Sequence, residues 1–571
     1  MVCCSMLVSA LAAGEGMDST LHIICATHVL LASVAIGFIL AVVFIWKPRL
    51  QSKKPVQSIP MLPNSHWLFG HLFWLLRNEY LVKQQILLNN ADDQGRCSCW
   101  IGAQPSISLT SRDDAQKLLR NHHTRCSAPI LKHHFEMLAG KRNLLLLNGK
   151  EWKYYQSSLK AALYHQTKAD PTLLQRITVQ TTRTLVKNIQ AKINESSSDR
   201  PNQIYSPAID GYMKMITQDV FGIVALSHHF GCCANLQLSN FAKAFESIED
   251  DILDRCLRNT LLPQNLIYSI PTKRNKMFLD NRRYLRSFLK DIIHDRLDKR
   301  HAANITSKCD ILDKLIETHV TKQQQQQQQQ QQEEEEEEEE EENQNSEEDL
   351  VDVVLSVLLA GYDTVTIALT YAVFLVSCHP YWEERCLEEV RRCNNNFDDV
   401  HNLLAKLEYP LCRAVIFETL RLYPVATALS RSLEKPLQLG KTVTIPEKCH
   451  VGISVWSLHR SEKHFPRPLE FRPDRWVRFC STTQQWIDRT TQCEQEDCSI
   501  PVGDLNSFLA FSSGARSCPG QSFAIEEASL AFAVLIDGLK FVIDSNYQPE
   551  MEWKVIVQKP KGGIPLCISI R

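Results

Sequence analysis

The pattern of hydrophobic and polar residues predicts a mainly α-helical protein with small β-sheets. Apolar side chains recur with helical periodicity over three stretches, 280–300, 377–392 and 408–422. Short β-like runs, each bounded by turn residues, occur at 442–445, 450–455 and 553–557. Runs of this length are typical of short strands, so we expect helices to dominate and the sheets to be minor.

Residues 21–46 are the first of two stretches long enough to cross a membrane. They carry no charged side chain, and a helix needs about 20 apolar residues to span a bilayer. A cleaved signal peptide is the alternative, but Glu15 and Asp18 stand where a signal peptide has basic residues. Lys47 and further basic residues follow the stretch, so the positive-inside rule places 1–20 in the lumen and the rest in the cytosol.

Residues 350–376 are also long enough to span a membrane, but their charges argue against it. Acidic residues stand on both sides, and no basic belt adjoins the stretch. Asp363 lies near its middle, where a charge is costly in lipid. A long helix that is buried within the protein and apolar on all sides is the better interpretation.

The remainder of the chain is predicted to form one large domain behind a connector. Residues 47–63 contain several prolines and lysines, which make a stiff, basic, non-helical connector. Within the domain 64–571, the segment 322–348 holds ten consecutive Gln and ten consecutive Glu. Such a tract cannot bury apolar surface, so we predict a solvated, largely disordered insert that is at most partly helical. Residues 480–499 are predicted to form an irregular loop.

Composition excludes a mainly disordered protein and a small disulfide-stapled one. The 571 residues are 44% hydrophobic and 22% charged, which suffices for a large core. The net charge is −2, and without the ten Glu the rest of the chain would carry +8. A mildly basic body suits an acidic protein partner or anionic lipid, and we expect no nucleic-acid partner. The 20 Cys are scattered, as is typical of reduced cytosolic thiols.

The strongest chemical signal surrounds Cys518, which lies just ahead of an apolar stretch at 521–539. A Cys before the start of a helix receives the helix dipole and backbone N–H groups, and both favour the thiolate. Gly514 and Gly520 permit tight turns or the close approach of a flat ligand, and Arg516 can bind an anionic group. A buried structural Cys would leave these neighbours unexplained, so a metal ligand and a nucleophile are the two readings that remain open.

The segment that contains Cys518 resembles the haem-binding loop of the cytochrome P-450 haem-thiolate monooxygenases. That motif is Phe, two residues, Gly, one residue, Arg, one residue, Cys, one residue, Gly, and every position is matched. The resemblance implies the cytochrome P-450 fold in a single large haem domain, with Cys518 as the axial ligand of the iron in haem b. It also implies that four loop residues contact this cofactor, namely Phe511, Gly514, Gly520 and Arg516, the last through a haem propionate.

Glu418 and Arg421 resemble the Glu-x-x-Arg helix of the same family. Taken alone, a Glu and an Arg at this spacing are usually a surface pair of small energetic value. The pair precedes Cys518 in the expected order, and Arg475 lies in a segment that resembles the family's source of a second Arg. The resemblance implies that Glu418, Arg421 and Arg475 form a buried structural network behind the haem loop.

A third match lies within the long apolar stretch. Ala360 and Thr364 are four residues apart and share one helix face, and Gly361 leaves room for a ligand beside it. A Thr can also bond back to the carbonyl four residues earlier and merely bend the helix. The resemblance implies that Asp363 and Thr364 are instead catalytic, delivering protons during oxygen activation.

Trp152 and Arg431 resemble two further haem contacts of the family. Trp152 begins a Trp-x-x-x-Arg pattern, but Gln156 occupies its last position, so one counter-ion for a propionate is missing. Trp152 can still donate its indole N–H to a propionate. Arg431 follows the Glu-x-x-Arg helix and is a candidate partner for a propionate, and His459 is a weaker one.

The resemblance implies a monooxygenase that inserts one atom of O2 into a lipophilic sterol, fatty acid or xenobiotic. No G-x-G-x-x-G dinucleotide motif is present in the sequence, so electrons from NADPH must come through a separate NADPH-cytochrome P-450 reductase, with cytochrome b5 as an optional second partner. We expect a single-pass protein of the endoplasmic reticulum membrane whose catalytic domain faces the cytosol.

Two other classes of function remain open from the sequence. A haem-thiolate isomerase or dehydratase would use the same fold without O2, although such chemistry does not need the pair Asp363 and Thr364. A non-enzymatic haem-binding protein is the other alternative, and Gln156 motivates it because the residue lacks the charge that would help to retain haem.

Overall fold

The computed structural model describes the chain in segments that exclude its N-terminus. These segments are 56–66, 70–71, 86–101, 104–125, 129–170, 172–195, 203–258, 268–302, 310–330, 339–393, 409–480, 485–488, 505–544, 546–554 and 557–571. The predicted lumenal N-terminus, the membrane anchor 21–46 and the first part of the connector lie outside the described residues.

Helices make up most of the described chain. In the first half they are α1 (Arg112–Asn121), α2 (Pro129–Ala139), α3 (Gly149–Ala169), α4 (Leu173–Glu195), α5 (Asp210–Leu226), α6 (Cys232–Asn235), α7 (Asn240–Arg258) and α8 (Lys273–Ala302). In the second half they are α9 (Ile311–Gln330), α10 (Glu339–Ser377), α11 (Pro380–Cys393), α12 (Pro410–Leu422), α13 (Val455–His459) and α14 (Gln521–Gly538).

The strands form small sheets. They are β1 (Arg96–Ile101), β2 (Gln104–Leu109), β3 (Gln203–Ser206), β4 (Ala428–Ser432), β5 (Leu437–Leu439), β6 (Val443–Ile445), β7 (His450–Ser454), β8 (Val477–Cys480), β9 (Gln485–Asp488), β10 (Leu539–Val542), β11 (Met551–Lys554), β12 (Val557–Pro560) and β13 (Leu566–Ile570). One sheet has the order β1-β2-β7-β4 and another β10-β13-β3, and β5–β6, β8–β9 and β11–β12 pair as hairpins. The prediction of a mainly helical protein with small sheets is confirmed.

Helix α10 runs through the hydrophobic core. In the described part of the chain, Glu347–Ser377 is the one helix with the length and hydropathy of a membrane span, and 78% of its apolar window is buried inside the protein. Helices α5, α12 and α14 pack against it. Because protein rather than lipid covers α10 on these sides, a helix that is apolar all round can be a core element.

A buried carboxylate sets the start of α12. The helix begins at Pro410, and the N–H groups of Leu411 and Cys412 donate to the Glu389 carboxylate of α11, each at 3.0 Å. These N–H groups have no partner inside their own helix, so Glu389 acts as its N-terminal cap. Burial raises the pKa of Glu389 to about 7, although the two N–H donors lower it. The cap joins α11 to the helix that carries Glu418.

The described ends of the insert predicted at 322–348 are helical, which the prediction of a partly helical tract allows: α9 continues to Gln330 and α10 starts at Glu339. Gln and Glu are good helix formers that extend helices already anchored in the core. Two details of the predicted organisation differ from the structure. The loop predicted at 480–499 contains strand β9, which pairs with β8. The single strand predicted at 553–557 is divided between β11 and β12.

Candidate active site

Cys518 lies in a loop that joins a short 3₁₀ turn, Gly514–Arg516, to the start of α14. Its N–H donates a hydrogen bond to the Phe511 carbonyl at 2.9 Å, which closes the loop. Gly514 has a φ of +73°, and a Cβ there would lie 2.6 Å from the carbonyl oxygen of Leu119 in α1. Both the backbone conformation and this contact therefore require glycine at 514.

The Cys518 side chain is exposed, although neighbours such as Leu509 and Ile525 are buried. A Cβ built on Gly520 would meet no atom within 4 Å, so open space adjoins the loop. Protein packed against its other sides raises the pKa of the Cys518 thiol, while the Gly520 backbone and the charge of Arg125 lower it. A raised thiol pKa does not prevent metal binding, because a metal cation deprotonates the thiol that coordinates it. The exposed sulfur of Cys518 is therefore suited to bind a metal cation.

Three arginines converge near this loop, and we call Arg125, Arg431 and Arg516 the arginine cluster. Burial, together with repulsion from Arg125, lowers the pKa of Arg516 to about 9 and that of Arg431 to about 10. Burial also lowers the pKa of Arg125, which the charge of Cys518 opposes. All three guanidinium groups remain charged near neutral pH, so positive charge is concentrated beside Cys518.

The arginine cluster has hydrogen-bond capacity that the protein does not use. Arg516 donates to the His123 carbonyl at 2.9 Å and to the Leu147 carbonyl at 2.8 Å. Its Nη1 and the Nε of Arg125 are buried without a hydrogen-bond partner. Within the described residues, no carboxylate forms an ion pair with any member of the cluster. Buried unpaired guanidinium groups are costly, so the site fits a bound anion such as the two propionates of haem b.

Helix α3 supports the loop through two side chains. The Arg516 guanidinium lies 3.7 Å from the centroid of the Trp152 ring, a cation–π contact. The Gln156 amide donates to the Ala515 carbonyl at 2.7 Å. Gln156, which lacks the charge that the family motif supplies, therefore holds the loop backbone directly. Trp152 therefore contacts the arginine cluster directly, through Arg516.

Sequence reasoning missed Arg125 as a member of this site. The residue lies in the stretch between α1 and α2, and no spacing rule connects it to Cys518. His459, the weaker candidate for a propionate contact, uses both ring nitrogens within the protein. Nε2 accepts a hydrogen bond from the Leu509 N–H at 2.9 Å, and Nδ1 lies 3.2 Å from the Arg421 carbonyl. Burial lowers the pKa of His459 to about 3, so it is a neutral structural residue.

Helix α10 presents Thr364 beside an open face. Ala360 is exposed although most of α10 is buried, and the Thr364 hydroxyl donates to the Ala360 carbonyl at 2.7 Å. The back-bond considered from the sequence is therefore present. Asp363 is 2% exposed, and no residue in the described part of the chain forms a hydrogen bond with its Oδ2. The acid and the alcohol are adjacent in the chain, with the acid buried and the alcohol at the opening.

Gly361 makes room for a protein side chain rather than only for a ligand. A Cβ there would lie 2.2 Å from the ring of Phe221 in α5. The Phe221 ring in turn packs edge-on against Phe523 in α14, with ring centroids 5.8 Å apart. Phe221 thus bridges the helix that carries Thr364 and the helix that follows Cys518. The expectation that Gly361 serves ligand space is corrected, because an aromatic ring fills the position.

Comparison with known proteins agrees with this geometry. The model of the family described as Cytochrome P450 matches residues 60–567. The chain belongs to the cytochrome P450 family. Members are haem-thiolate monooxygenases, so this cytochrome P450 is an oxidoreductase that binds haem b and acts on lipophilic substrates.

Curated relatives cover most of the chain at modest identity. A Cytokinin hydroxylase of Arabidopsis thaliana is 27% identical over 82% of this chain and 80% of its own length. Cytochrome P450 4A14 of Rattus norvegicus is 24% identical over 90% of each chain. Cytochrome P450 4Z1 of Homo sapiens is 24% identical over 88% of this chain and 89% of its own.

Behind the loop of this cytochrome P450, Glu418 anchors a fully buried charge network. Its carboxylate accepts hydrogen bonds from Arg421 at 2.8 and 2.9 Å, from Arg475 at 3.1 Å and from the Trp476 indole at 2.9 Å. The side chains of Glu418 and Arg421 are 0% exposed. Arg421 also donates hydrogen bonds to backbone carbonyls, including that of His459 at 2.8 Å. The network ties α12 to the segment that precedes β8.

Arg125 offers a direct test of the arginine cluster. We expect Arg125→Gln to speed the loss of haem about tenfold, because a charge-assisted hydrogen bond contributes about 1.5–3 kcal/mol. The rate is measured by absorbance as haem transfers from the protein to an excess of apomyoglobin. Arg120→Gln, an exposed arginine on α1, is the matched control. Equal rates for the two variants would remove Arg125 from the site.

Proposed function

We propose that this cytochrome P450 hydroxylates a sterol, fatty acid or xenobiotic with electrons from NADPH. The observation that carries the proposal is the exposed Cys518 sulfur beside an arginine cluster that lacks an acidic partner. In the proposal Cys518 is the axial ligand of the haem iron. The propionates bind Arg125, Arg431 and Arg516, with Trp152 supporting the last of these.

The remaining loop residues shape the cofactor site in this proposal. Phe511 shields the sulfur, while Gly514 and Gly520 let the backbone approach a flat ligand. When bound, haem supplies the reductive activation of O2, and electron donation from a thiolate ligand favours cleavage of the O–O bond. The protein's own residues must hold the cofactor, exclude water and deliver protons.

Asp363 and Thr364 are proposed to deliver those protons. Each hydroxylation consumes O2, two electrons and two protons and releases one water. The Thr364 hydroxyl donates a hydrogen bond to the Ala360 carbonyl, so the lone pairs of Oγ1 are free to accept a hydrogen bond from the open side. Oδ2 of Asp363 has no hydrogen-bond partner among the described residues, and in the proposal it carries a proton inward.

Thr364→Ala separates proton delivery from electron supply. We expect product formed per NADPH to fall about 100-fold, the lower end of the usual size of general acid–base effects. NADPH oxidation should continue and yield hydrogen peroxide. Thr370→Ala is the matched control, because Thr370 makes the same back-bond at 2.8 Å but is buried. Equal coupling of product to NADPH in both variants would contradict a role for the Thr364 hydroxyl.

The proposed partners and location follow from charge and the N-terminal pattern. An NADPH-cytochrome P450 reductase supplies the electrons, with cytochrome b5 as an optional donor, and the basic body suits an acidic partner. The stretch 21–46 holds the protein in the endoplasmic reticulum membrane with its catalytic domain in the cytosol. Product formation that requires both NADPH and O2 supports this proposal, and turnover of a hydroperoxide without either would favour an isomerase or dehydratase.

A further inference from the structure

A surface cleft of about 380 Å³ opens between the end of α5, the start of α7 and the middle of α8. We call it the peripheral cleft; it is lined by residues of the segment 228–240, which includes helix α6, and by Phe241, Lys243, Tyr284 and Phe288. Its volume lies in the range of small-molecule sites, roughly 300–1,000 Å³. None of its lining residues belongs to the site around Cys518, so it is a separate feature.

Aromatic side chains form the floor of the peripheral cleft. The ring centroids of His228 and Phe230 are 4.7 Å apart, and those of His228 and Phe288 are 5.2 Å apart. Phe241 lies 5.1 Å from Phe288, and Phe230 stacks on Phe288 at 5.8 Å. Tyr284 extends the surface and is 41% exposed. Such a floor offers flat and edge-on contacts to an aromatic ring.

The rim of the peripheral cleft carries one lysine, Lys243, which forms no ion pair with the described residues. In the part of the chain that the structure describes, the side chains of Lys243, His229 and Gln237 make no hydrogen bond or ion pair. No Asp or Glu is among the lining residues. An aromatic floor under a cationic rim favours a ligand with one planar ring system and one carboxylate.

The loop that forms one wall is held in a fixed shape. The Asp219 carboxylate accepts hydrogen bonds from the N–H groups of Cys232 at 2.9 Å and Cys233 at 2.8 Å. The Asn188 amide donates to the Cys233 carbonyl at 2.9 Å. Leu236 is held at a φ of +50°, a left-handed conformation that is unfavourable for a residue other than glycine. The cleft is therefore built before any ligand arrives.

The floor of the cleft also reaches the helix that carries Thr364. Phe230 and Phe241 also line an internal void of about 20 Å³. Leu358, Leu359 and Tyr362 of α10 line the same void. The same two aromatic rings therefore border both the cleft and a void that is bounded by the turns of α10 on either side of Ala360. A ligand that displaces these rings would shift the packing against α10, because close-packed interiors transmit strain.

We propose that the peripheral cleft is an effector site for small aromatic carboxylates. The site is independent of the haem pocket in its lining residues and is coupled to that pocket through Phe230 and Phe241. The coupling is reciprocal: a ligand in the cleft alters affinity at the haem, and a haem ligand alters affinity in the cleft by the same factor.

The test uses the full-length holoenzyme with 4-phenylimidazole bound at the haem, which blocks the haem pocket. Binding of 2-naphthoate is followed by its fluorescence, a signal that does not depend on turnover. We expect Lys243→Gln to weaken binding about tenfold through loss of one charge-assisted contact. Lys192→Gln, an exposed lysine on α4, should leave it unchanged. The neutral analogue 2-naphthamide should bind wild-type protein as weakly as 2-naphthoate binds Lys243→Gln.

Coupling is measured separately, from the absorbance titration of 4-phenylimidazole with and without 2-naphthoate. A shift of threefold or more that Lys243→Gln removes supports the effector role, and no shift overturns it. Naphthoate binding that Lys243→Gln leaves intact, or equal binding of the amide, overturns the site itself. Because Lys243 is exposed, the variant is expected to fold. A failure of haem binding would appear in the absorbance alone, so it is distinguishable from failure of the cleft.

Discussion

Cys518→Ala is expected to abolish the strongly red-shifted Soret band of the dithionite-reduced, carbon monoxide-bound protein, together with all NADPH-dependent product formation. That band requires a thiolate on ferrous haem iron, and in our proposal the exposed sulfur of Cys518, which lies near Arg125 of the arginine cluster, is that ligand. Loss of the proposed axial ligand would remove the electron donation that favours O–O cleavage. The measurement is a difference spectrum on purified protein, with far-UV circular dichroism to verify the fold.

Cys378→Ala is the matched control for this variant, because Cys378 is also exposed and lies at the end of α10. It should keep the full band and full activity. A band that persists in Cys518→Ala would show that another residue binds the iron. A wild-type band typical of imidazole or neutral-thiol ligation would show that the loop does not work as its motif implies, and a haem-binding protein without this activity would then be favoured.

Glu418→Gln is expected to lower the free energy of unfolding by about 3–5 kcal/mol, because it leaves buried guanidinium groups without their carboxylate. Glu418 accepts hydrogen bonds from Arg421, Arg475 and Trp476, and both members of the closest ion pair are 0% exposed. A loss of this size is a large share of the roughly 5–15 kcal/mol that typical domains possess. Chemical denaturation followed by circular dichroism measures it.

An exposed ion pair provides the control for the buried network. Glu550 pairs with Lys561 at 2.9 Å, with 75% and 62% of the two side chains exposed, so Glu550→Gln should change stability by less than about 1 kcal/mol. Arg475→Lys keeps the charge but loses the planar fork, and it should give an intermediate loss if Glu418→Gln is too unstable to purify. Similar stability of Glu418→Gln and Glu550→Gln would contradict a structural role for the network.

Features encoded by neighbouring residues could be predicted without the structure. The loop around Cys518, the helix after it and the apolar character of 350–376 depend on local spacing and on long apolar runs. The order of Glu418, Arg475 and Cys518 along the chain indicated the family for the same reason. The acidic flanks of 350–376 were enough to reject a membrane span, and the buried helix α10 confirms that interpretation.

Features formed by distant residues required the folded chain. Arg125 is far from Cys518 in sequence, and only the packing of the segment after α1 brings its charge to the sulfur. The use of Gln156 is similar, because a sequence shows a missing charge but not the hydrogen bond to Ala515. The role of Gly361 was also decided by the fold: the space beside it, expected to serve a ligand, is filled by the Phe221 ring of α5.

The sequence by itself therefore determined the chemistry that this protein can present: one thiolate candidate on a glycine-containing loop, an acid–alcohol pair on an apolar helix, and a Glu–Arg helix. Tertiary structure decided which charges surround that thiolate, which glycine serves packing, and where a second cleft opens. The physical reason is the distance along the chain over which each kind of interaction acts. Periodicity and turn chemistry act over a few residues, whereas buried charge pairing and ring packing depend on contacts between segments hundreds of residues apart in the chain.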